Sequence, residues 1–360
     1  MKSPKSVLPG NDNNIISSDS SALKENDASS RGTSSKAARP TPLSKEQIKF
    51  FHDRGYLVVD DLIPHDDIQP VMDELTSEID NHASKLVARG RLSRSYAEEG
   101  FETRLAKISQ ETDQVAIAIW NGILHGPGIF HLITQPRLLD AAEQLCGPEL
   151  IASSVYRLRP KIPNYGYGAV PWHQDSGYFE PYCDNFLVLT AWVPLVDATE
   201  ENGTMWVIAG SHRKPVLNHK MHVSAKYLEI EEKDLPPGER VCCPVRKGGV
   251  LFITNRTVHA SFINRTRIVR WSMDLRYQSA KLPTNASITR LPDEAVPSPA
   301  LGVPAACYPP ERDFLVRSQA RRDEIIQSYE EFCHLRENPL NQPVTNRFNA
   351  TWAAPKPVEI

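Results

Sequence analysis

A change of texture at Gly147-Pro148 constrains this chain more than any other feature of its sequence. Before it, apolar residues recur every three or four positions. Ile68, Val71, Met72, Leu75 and Ile79 make one stripe of an amphipathic helix over 66–88, and a further helical segment at 129–146 ends at the breaker pair. After it come short β-rich runs at 151–159, 170–175, 186–196, 204–208, 241–246, 250–254 and 267–278, divided by Gly, Pro and Asn. Helices first and many short strands afterwards predict one α+β domain on an antiparallel double-sheet barrel.

The edges of that domain follow from local signals. Ser44 can cap a helix, with Gln47 completing a capping box ahead of Ile48, Phe50 and Phe51. Gly55 ends that helix, and residues 56–59 read as a strand. Residues 1–40 are rich in Ser, Asn, Asp and Lys and too poor in apolar surface to offset the entropy of ordering, so a disordered leader is expected there. The polar stretch 89–113 fits neither periodicity. A helix is expected at 319–336, beyond the Pro-rich stretch 292–310, and an irregular tail at 338–360. The single domain thus spans 41–337, with its β core at 150–280.

The totals exclude several classes of function. With 360 residues and 40% of them hydrophobic, the chain can bury a large core. Its 41 basic and 44 acidic residues give a net charge of -3, so no general basic field draws in nucleic acid. Cys146, Cys183, Cys242, Cys243, Cys307 and Cys333 form no CxxC pair and read as reduced thiols, with Cys242 and Cys243 on opposite faces of a strand. The start lacks a secretory apolar stretch, no run is long enough to span a membrane, and the last residues, Val358-Glu359-Ile360, are not a peroxisomal tripeptide. A cytoplasmic protein with a small-molecule substrate, and no nucleic-acid or membrane partner, is expected.

Chemistry concentrates at Val170-Pro171-Trp172-His173-Gln174-Asp175-Ser176. In an extended segment residues i and i+2 share a face, so His173 and Asp175 aim together while Gln174 points away. His259, distant in sequence at another strand end, is the best third ligand. Two imidazoles and one carboxylate leave three positions open on Fe(II), enough for a bidentate oxoacid and O2. Thiolates would suit zinc or clusters better.

The strand that follows carries Val269, Trp271, Met273 and Leu275 on one face and Ile268, Arg270, Ser272, Asp274 and Arg276 on the other. The first face suits a core; the second must line water or a site. Arg270, eleven residues past His259, can take the distal carboxylate of 2-oxoglutarate as a planar bidentate pair. Ser261 could add a hydroxyl hydrogen bond. Arg265 and Arg267 read as surface charges; the strand residue Arg159 could reach a substrate acid, but reads rather as an exterior salt bridge. His212 reads as part of a structural turn, and His125, His131, His219 and His222 have no metal-spaced partner on a common face.

These pieces together resemble the phytanoyl-CoA dioxygenase family from about residue 43 to 278. The matching elements are the Leu43–Val59 opening, Trp172-His173-Gln174-Asp175, the Trp192 strand, Asn202-Gly203 leading to Gly210-Ser211-His212, and His259-Ala260-Ser261 with Arg270. The resemblance implies a double-stranded β-helix (jelly roll, cupin-like) core flanked by helices. It also implies an Fe(II) triad of His173, Asp175 and His259, and 2-oxoglutarate on Arg270 with Ser261 and Trp192 nearby. Relatives that halogenate have a small residue in place of the acid, so Asp175 favours hydroxylation or a related oxidation. Two other classes use the same barrel: a zinc hydrolase, for which the Arg270 clamp has no purpose, and a non-catalytic binding protein, which would not need every triad position kept.

Overall fold

A computed structural model describes residues 42–121, 124–153, 156–179, 181–221, 227–282 and 313–337. The expected leader, the Pro-rich stretch, the C-terminal tail, Cys307 and His222 lie outside the described residues.

Helix α1 (Lys45–Arg54) starts with the expected capping box. The Ser44 hydroxyl accepts from the Gln47 N–H at 3.2 Å, and the Gln47 side chain accepts from the Ser44 N–H at 2.8 Å. Gly55 ends the helix at φ 81°, a left-handed conformation glycine adopts without penalty. Strand β1 (Tyr56–Val59) leads to α2 (His65–Ala88), where Ile68, Val71, Leu75, Ile79 and Leu86 are fully buried. Each contributes roughly 1.5–3 kcal/mol relative to leaving it in water.

The unassigned polar stretch holds α3 (Phe101–Glu111), followed by α4 (Gln114–Asn121). The expected helix at 129–146 is two helices, α5 (Pro127–Ile133) and α6 (Pro136–Cys146). Pro136 is the reason: it has no N–H to continue α5, but it suits the first turn of α6, where the Gln135 side chain caps the Leu138 N–H.

Strands then follow as β2 (Leu150–Ala152), β3 (Arg157–Lys161), β4 (Val170–His173), β5 (Val188–Pro194), β6 (Met205–Ile208), β7 (Lys220–Met221), β8 (Leu228–Glu229), β9 (Arg240–Cys243), β10 (Val250–Thr254), β11 (His259–Ser261), β12 (Arg270–Ser279) and β13 (Phe314–Arg317). The expected helix at 319–336 is shorter and later, α7 (Tyr329–Glu337). A box in which Ser328 and Glu331 satisfy each other's backbone N–H groups fixes its start, and the exposed charges of Arg321–Glu324 before it offer no apolar stripe.

The major sheet runs β1-β10-β5-β12-β2-β13, with β3 beside β2 along the same edge of β12; the minor sheet runs β4-β11-β6-β9. All pairs are antiparallel. This is the expected jelly roll flanked by helices. One large core lies between the helices and the outer face of the major sheet, around Val269, Trp271, Met273, Leu275 and Tyr277 of the β12 region. A second, between the sheets, gathers Trp192, Met205, Val207, Leu251 and Ile253. Alternation along β12 therefore puts one set of side chains under the helices and the other inside the barrel. No helix among the described residues is long and apolar enough to cross a membrane.

Candidate metal centre and adjoining cavity

His173 ends β4 and His259 begins β11, and the two are direct register partners across that antiparallel pair, with ring centroids 4.1 Å apart. Each ring's Nδ1 lies 2.8 Å from the carbonyl oxygen two residues before it, Pro171 for His173 and Thr257 for His259. A carbonyl only accepts, so the ring proton sits on Nδ1 and both Nε2 lone pairs are left for a ligand. Asp175 lies two residues beyond the end of β4, at the start of a 3-10 turn (Asp175–Tyr178), not on the strand itself. The i, i+2 relation survives because the intervening Gln174 is extended, at φ -117° and ψ 140°. Asp175 Oδ1 stands 4.0 Å from His173 Nε2 and 3.9 Å from His259 Nε2, and one donor atom from each of the three residues falls within 4.8 Å of the others.

The rest of the centre is fixed by its surroundings. Asp175 Oδ2 accepts from the Thr190 hydroxyl at 2.7 Å and from Arg276 at 3.3 Å, which leaves Oδ1 as the oxygen facing the imidazoles. Burial works against the carboxylate, but Arg276, the two imidazoles and Thr190 together hold Asp175 well below the ordinary carboxylate range. Burial, reinforced by His259, pulls His173 well below its usual value and keeps it neutral. Two imidazole Nε2 atoms and one carboxylate oxygen, all buried and turned toward one another, suit a divalent cation.

Gln174 points away as expected. Its side chain donates to the Arg256 carbonyl at 2.7 Å and accepts from the Leu217 N–H at 2.8 Å. Its backbone N–H donates to His219 Nε2 at 2.9 Å, so His219 supports the metal-bearing segment from behind. Burial pushes His219 down to about 4, in keeping with a neutral ring that accepts there. His212 holds the His52 carbonyl in a turn, as expected.

Arg270 opens β12 at 2% exposure with its guanidinium carbon 5.1 Å from the Trp192 ring centroid. It donates to Ser272 and, at 3.2 Å, to Ser261, while its Nε has no hydrogen-bond partner among the described residues. No carboxylate of the described residues forms an ion pair with it. Burial drags Arg270 down to about 9, still cationic at neutral pH. A buried guanidinium without a counter-ion is costly, so the geometry calls for an anion from outside.

Lys161 sharpens this. It is the register partner of Arg270 across β3 and β12, 1% exposed, and its amino nitrogen donates to the Ser261 hydroxyl and the Phe262 carbonyl, both at 2.5 Å; burial, with the Arg270 and Arg159 guanidiniums close by, pulls Lys161 well below the ordinary lysine range. Ser261 therefore accepts from both Lys161 and Arg270 and gives its own proton to the Gly203 carbonyl at 3.0 Å. Its hydroxyl braces both side chains.

One cavity is lined by the triad, Thr190, Trp192, Ser261, Arg270, Asp274 and Arg276 together with Trp120, Arg159, Tyr178 and Tyr227. Arg159 was expected outside; it lies in this cavity, ion-paired to Asp274 at 3.0 Å. The reason is that β3 pairs with β12, which turns its odd-numbered residues inward. Arg265 and Arg267 are exposed. Cys146, Cys183, Cys242, Cys243 and Cys333 are free thiols, Cys243 being buried and Cys242 half-buried on successive positions of β9. Lys161 and Thr190 are not singled out in the sequence, and His219 is named there only as a histidine without a metal-spaced partner. For Thr190 a signal existed, since it shares a strand face with Trp192.

A sequence model of a family described as phytanoyl-CoA dioxygenase matches residues 51–272. The peroxisomal phytanoyl-CoA dioxygenase of Rattus norvegicus is 25% identical over 245 residues, 66% of this chain and 69% of its own length. A probable alpha-ketoglutarate-dependent hypophosphite dioxygenase of Stutzerimonas stutzeri is 25% identical over 243 residues, 65% of this chain and 78% of its own. Among solved structures, the non-heme monooxygenase ThoJ superposes with a TM-score of 0.48 at 21% identity, covering 76% of this chain and 84% of that one. The epimerase SnoN, solved with Fe3+, alpha ketoglutarate and nogalamycin RO, gives 0.46 at 21% identity over 76% and 98%.

Proposed function

This chain belongs to the phytanoyl-CoA dioxygenase family and is a non-haem Fe(II)- and 2-oxoglutarate-dependent dioxygenase; from that premise we propose which residues carry the reaction. His173, Asp175 and His259 hold Fe(II), and Arg270 grips the far carboxylate of 2-oxoglutarate with Trp192 packed beside it. Ser261 holds Arg270 and Lys161 in place. When bound, Fe(II) with 2-oxoglutarate and O2 supplies the oxidising chemistry, releasing succinate and CO2 as a small organic molecule is hydroxylated or otherwise oxidised.

The chain's own residues bind, orient and exclude water. The carbonyls of Pro171 and Thr257 keep both imidazoles in the tautomer that presents Nε2. Thr190 and Arg276 keep Asp175 ionised with one oxygen turned toward the imidazoles. The apolar walls around Trp192, Met205 and Ile253 make each of these polar contacts stronger than it would be in water.

The observation that carries this reading is the buried cation Arg270, without a carboxylate partner among the described residues, in the cavity where the three donors converge. Isothermal titration of 2-oxoglutarate into Mn(II)-loaded protein tests it. Binding is expected to weaken in both His259→Ala and Arg270→Ala, and unchanged affinity in both would remove the assignment. Fe(II)-dependent release of succinate is the companion assay. We place the enzyme in the cytoplasm with neither membrane nor nucleic-acid partner, a reading supported by its balanced charge and checked by cell fractionation.

A further inference from the structure

The dioxygenase reading uses one half of the cavity and leaves the other unexplained. Along β3, Arg157, Arg159 and Lys161 alternate with Leu158, which lies in the core, so these three basic side chains share the inward face. Arg159 faces Ser272 in register, donates through Nε to Asp274 Oδ2 at 3.0 Å, and lays its guanidinium carbon 5.0 Å from the ring centroid of Trp120 on α4. It touches neither the metal triad nor the groups assigned to 2-oxoglutarate.

Two features of this arrangement point to a ligand. Arg159 spends only Nε on Asp274. Its two terminal nitrogens make no further hydrogen bond among the described residues, and 18% of the side chain remains accessible. Trp120 on one face and Asp274 on one edge hold the guanidinium still, so a partner meets a fixed, planar fork. Charge gives the sign of that partner. Among the described residues lining the cavity, the guanidiniums of Arg159, Arg270 and Arg276 outnumber the carboxylates of Asp175 and Asp274. Fe(II) and the 2-oxoglutarate dianion cancel one another, so loading the site leaves that positive excess in place. A neutral or cationic substrate would leave it uncompensated in a medium of low dielectric; one carboxylate balances it.

We propose that Arg159, braced by Asp274 and Trp120, is a substrate-specificity residue that selects an organic acid with an apolar or aromatic body and a single carboxylate. The proposal rests on the reading of this cavity as the dioxygenase site. The carboxylate takes the terminal nitrogens of Arg159, the body lies along Trp120 and Tyr227, and the far end of the molecule reaches toward the triad.

The test uses the full chain saturated with Mn(II) and 2-oxoglutarate, titrated calorimetrically with 2-naphthoate and with 2-naphthamide, which differ in charge but hardly in shape. The wild-type protein is expected to bind the acid at least tenfold more tightly than the amide. Arg159→Leu abolishes that preference while its affinity for 2-oxoglutarate stays within twofold of wild type, and Arg159→Lys keeps part of it. Equal binding of acid and amide, no binding of either, or a preference that survives in Arg159→Leu overturns the proposal. Wild-type protein that fails to bind 2-oxoglutarate at all overturns the dioxygenase-site reading instead, so the two failures are told apart.

Discussion

Replacing Thr190 by Val removes one hydroxyl from the centre and leaves the strand's shape intact, because both residues are β-branched. Thr190 sits on β5 opposite Arg276, and both reach Asp175 Oδ2, the hydroxyl at 2.7 Å and the guanidinium at 3.3 Å. A hydrogen bond to a buried charged group is worth about 1.5–3 kcal/mol. Loss of an outer partner of a metal ligand typically costs about 10–100-fold in metal affinity, which is roughly 1.4–2.7 kcal/mol. The two routes agree. Since Arg276 stays on the same oxygen, the effect should fall at the lower end, about tenfold weaker Mn(II) binding. The assay is a Mn(II) titration followed by the electron paramagnetic resonance signal of the free ion, with thermal unfolding of the metal-free protein alongside. Mn(II) affinity within twofold of wild type, accompanied by a lower melting temperature, would show that Thr190 serves packing alone and would refute the argument that it prepares Asp175 as a ligand.

Three further outcomes are expected. Arg270→Leu should raise the dissociation constant of 2-oxoglutarate by roughly 30-fold or more, as losing one partner of a buried charge pair costs about 2–5 kcal/mol, and Arg270→Lys should recover little of it; calorimetry decides. In the metal-free protein His219 has a folded-state value near 4, below its ordinary 6.5, so the unfolded chain binds the proton more readily. Its contribution to stability is complete above about pH 6.5 and is lost as pH falls toward 4, with a slope of up to about 1.4 kcal/mol per pH unit. His219→Asn should flatten urea-unfolding stability over that window. Gly55→Ala places a Cβ 2.3 Å from His212 Nδ1 and 2.8 Å from Thr257 Oγ1 at φ +81°, and should cost at least about 2 kcal/mol from left-handed strain and displaced neighbours together. Equal melting temperatures for this variant and wild type would contradict that.

The parts of the site that could be read from sequence are those set by neighbours along the chain. His173 and Asp175 needed only an extended Gln174 between them, and the inward row Arg270, Asp274 and Arg276 needed only alternation. Residues 250–254 read as a strand with its observed limits because four consecutive apolar residues, Val250 to Ile253, followed by β-branched Thr254 and flanked by breakers, leave little choice. What sequence did not yield is set by pairing across the sheet. A fully buried lysine goes against the ordinary habit of that residue, and Lys161 becomes intelligible only once β3 is seen beside β12 in the register that puts it opposite Arg270. Arg159 was placed outside for the same reason. His219 supports Gln174 from a loop whose path no periodicity announces. The C-terminal helix was begun too early because charge alone, without an apolar stripe, does not mark a start.

Strand β12 carries two messages in alternate letters: one set spells the core beneath the helices, the other the guanidiniums and the aspartate of the cavity. A substitution edits one letter. A single inserted or deleted residue between Val269 and Arg276 shifts the frame of all that follow it, driving arginines into the oily layer and tryptophan or leucine into the chamber. Lineages that change substrate on this scaffold must therefore do so by replacement along β12, and can vary length only in the connections around it.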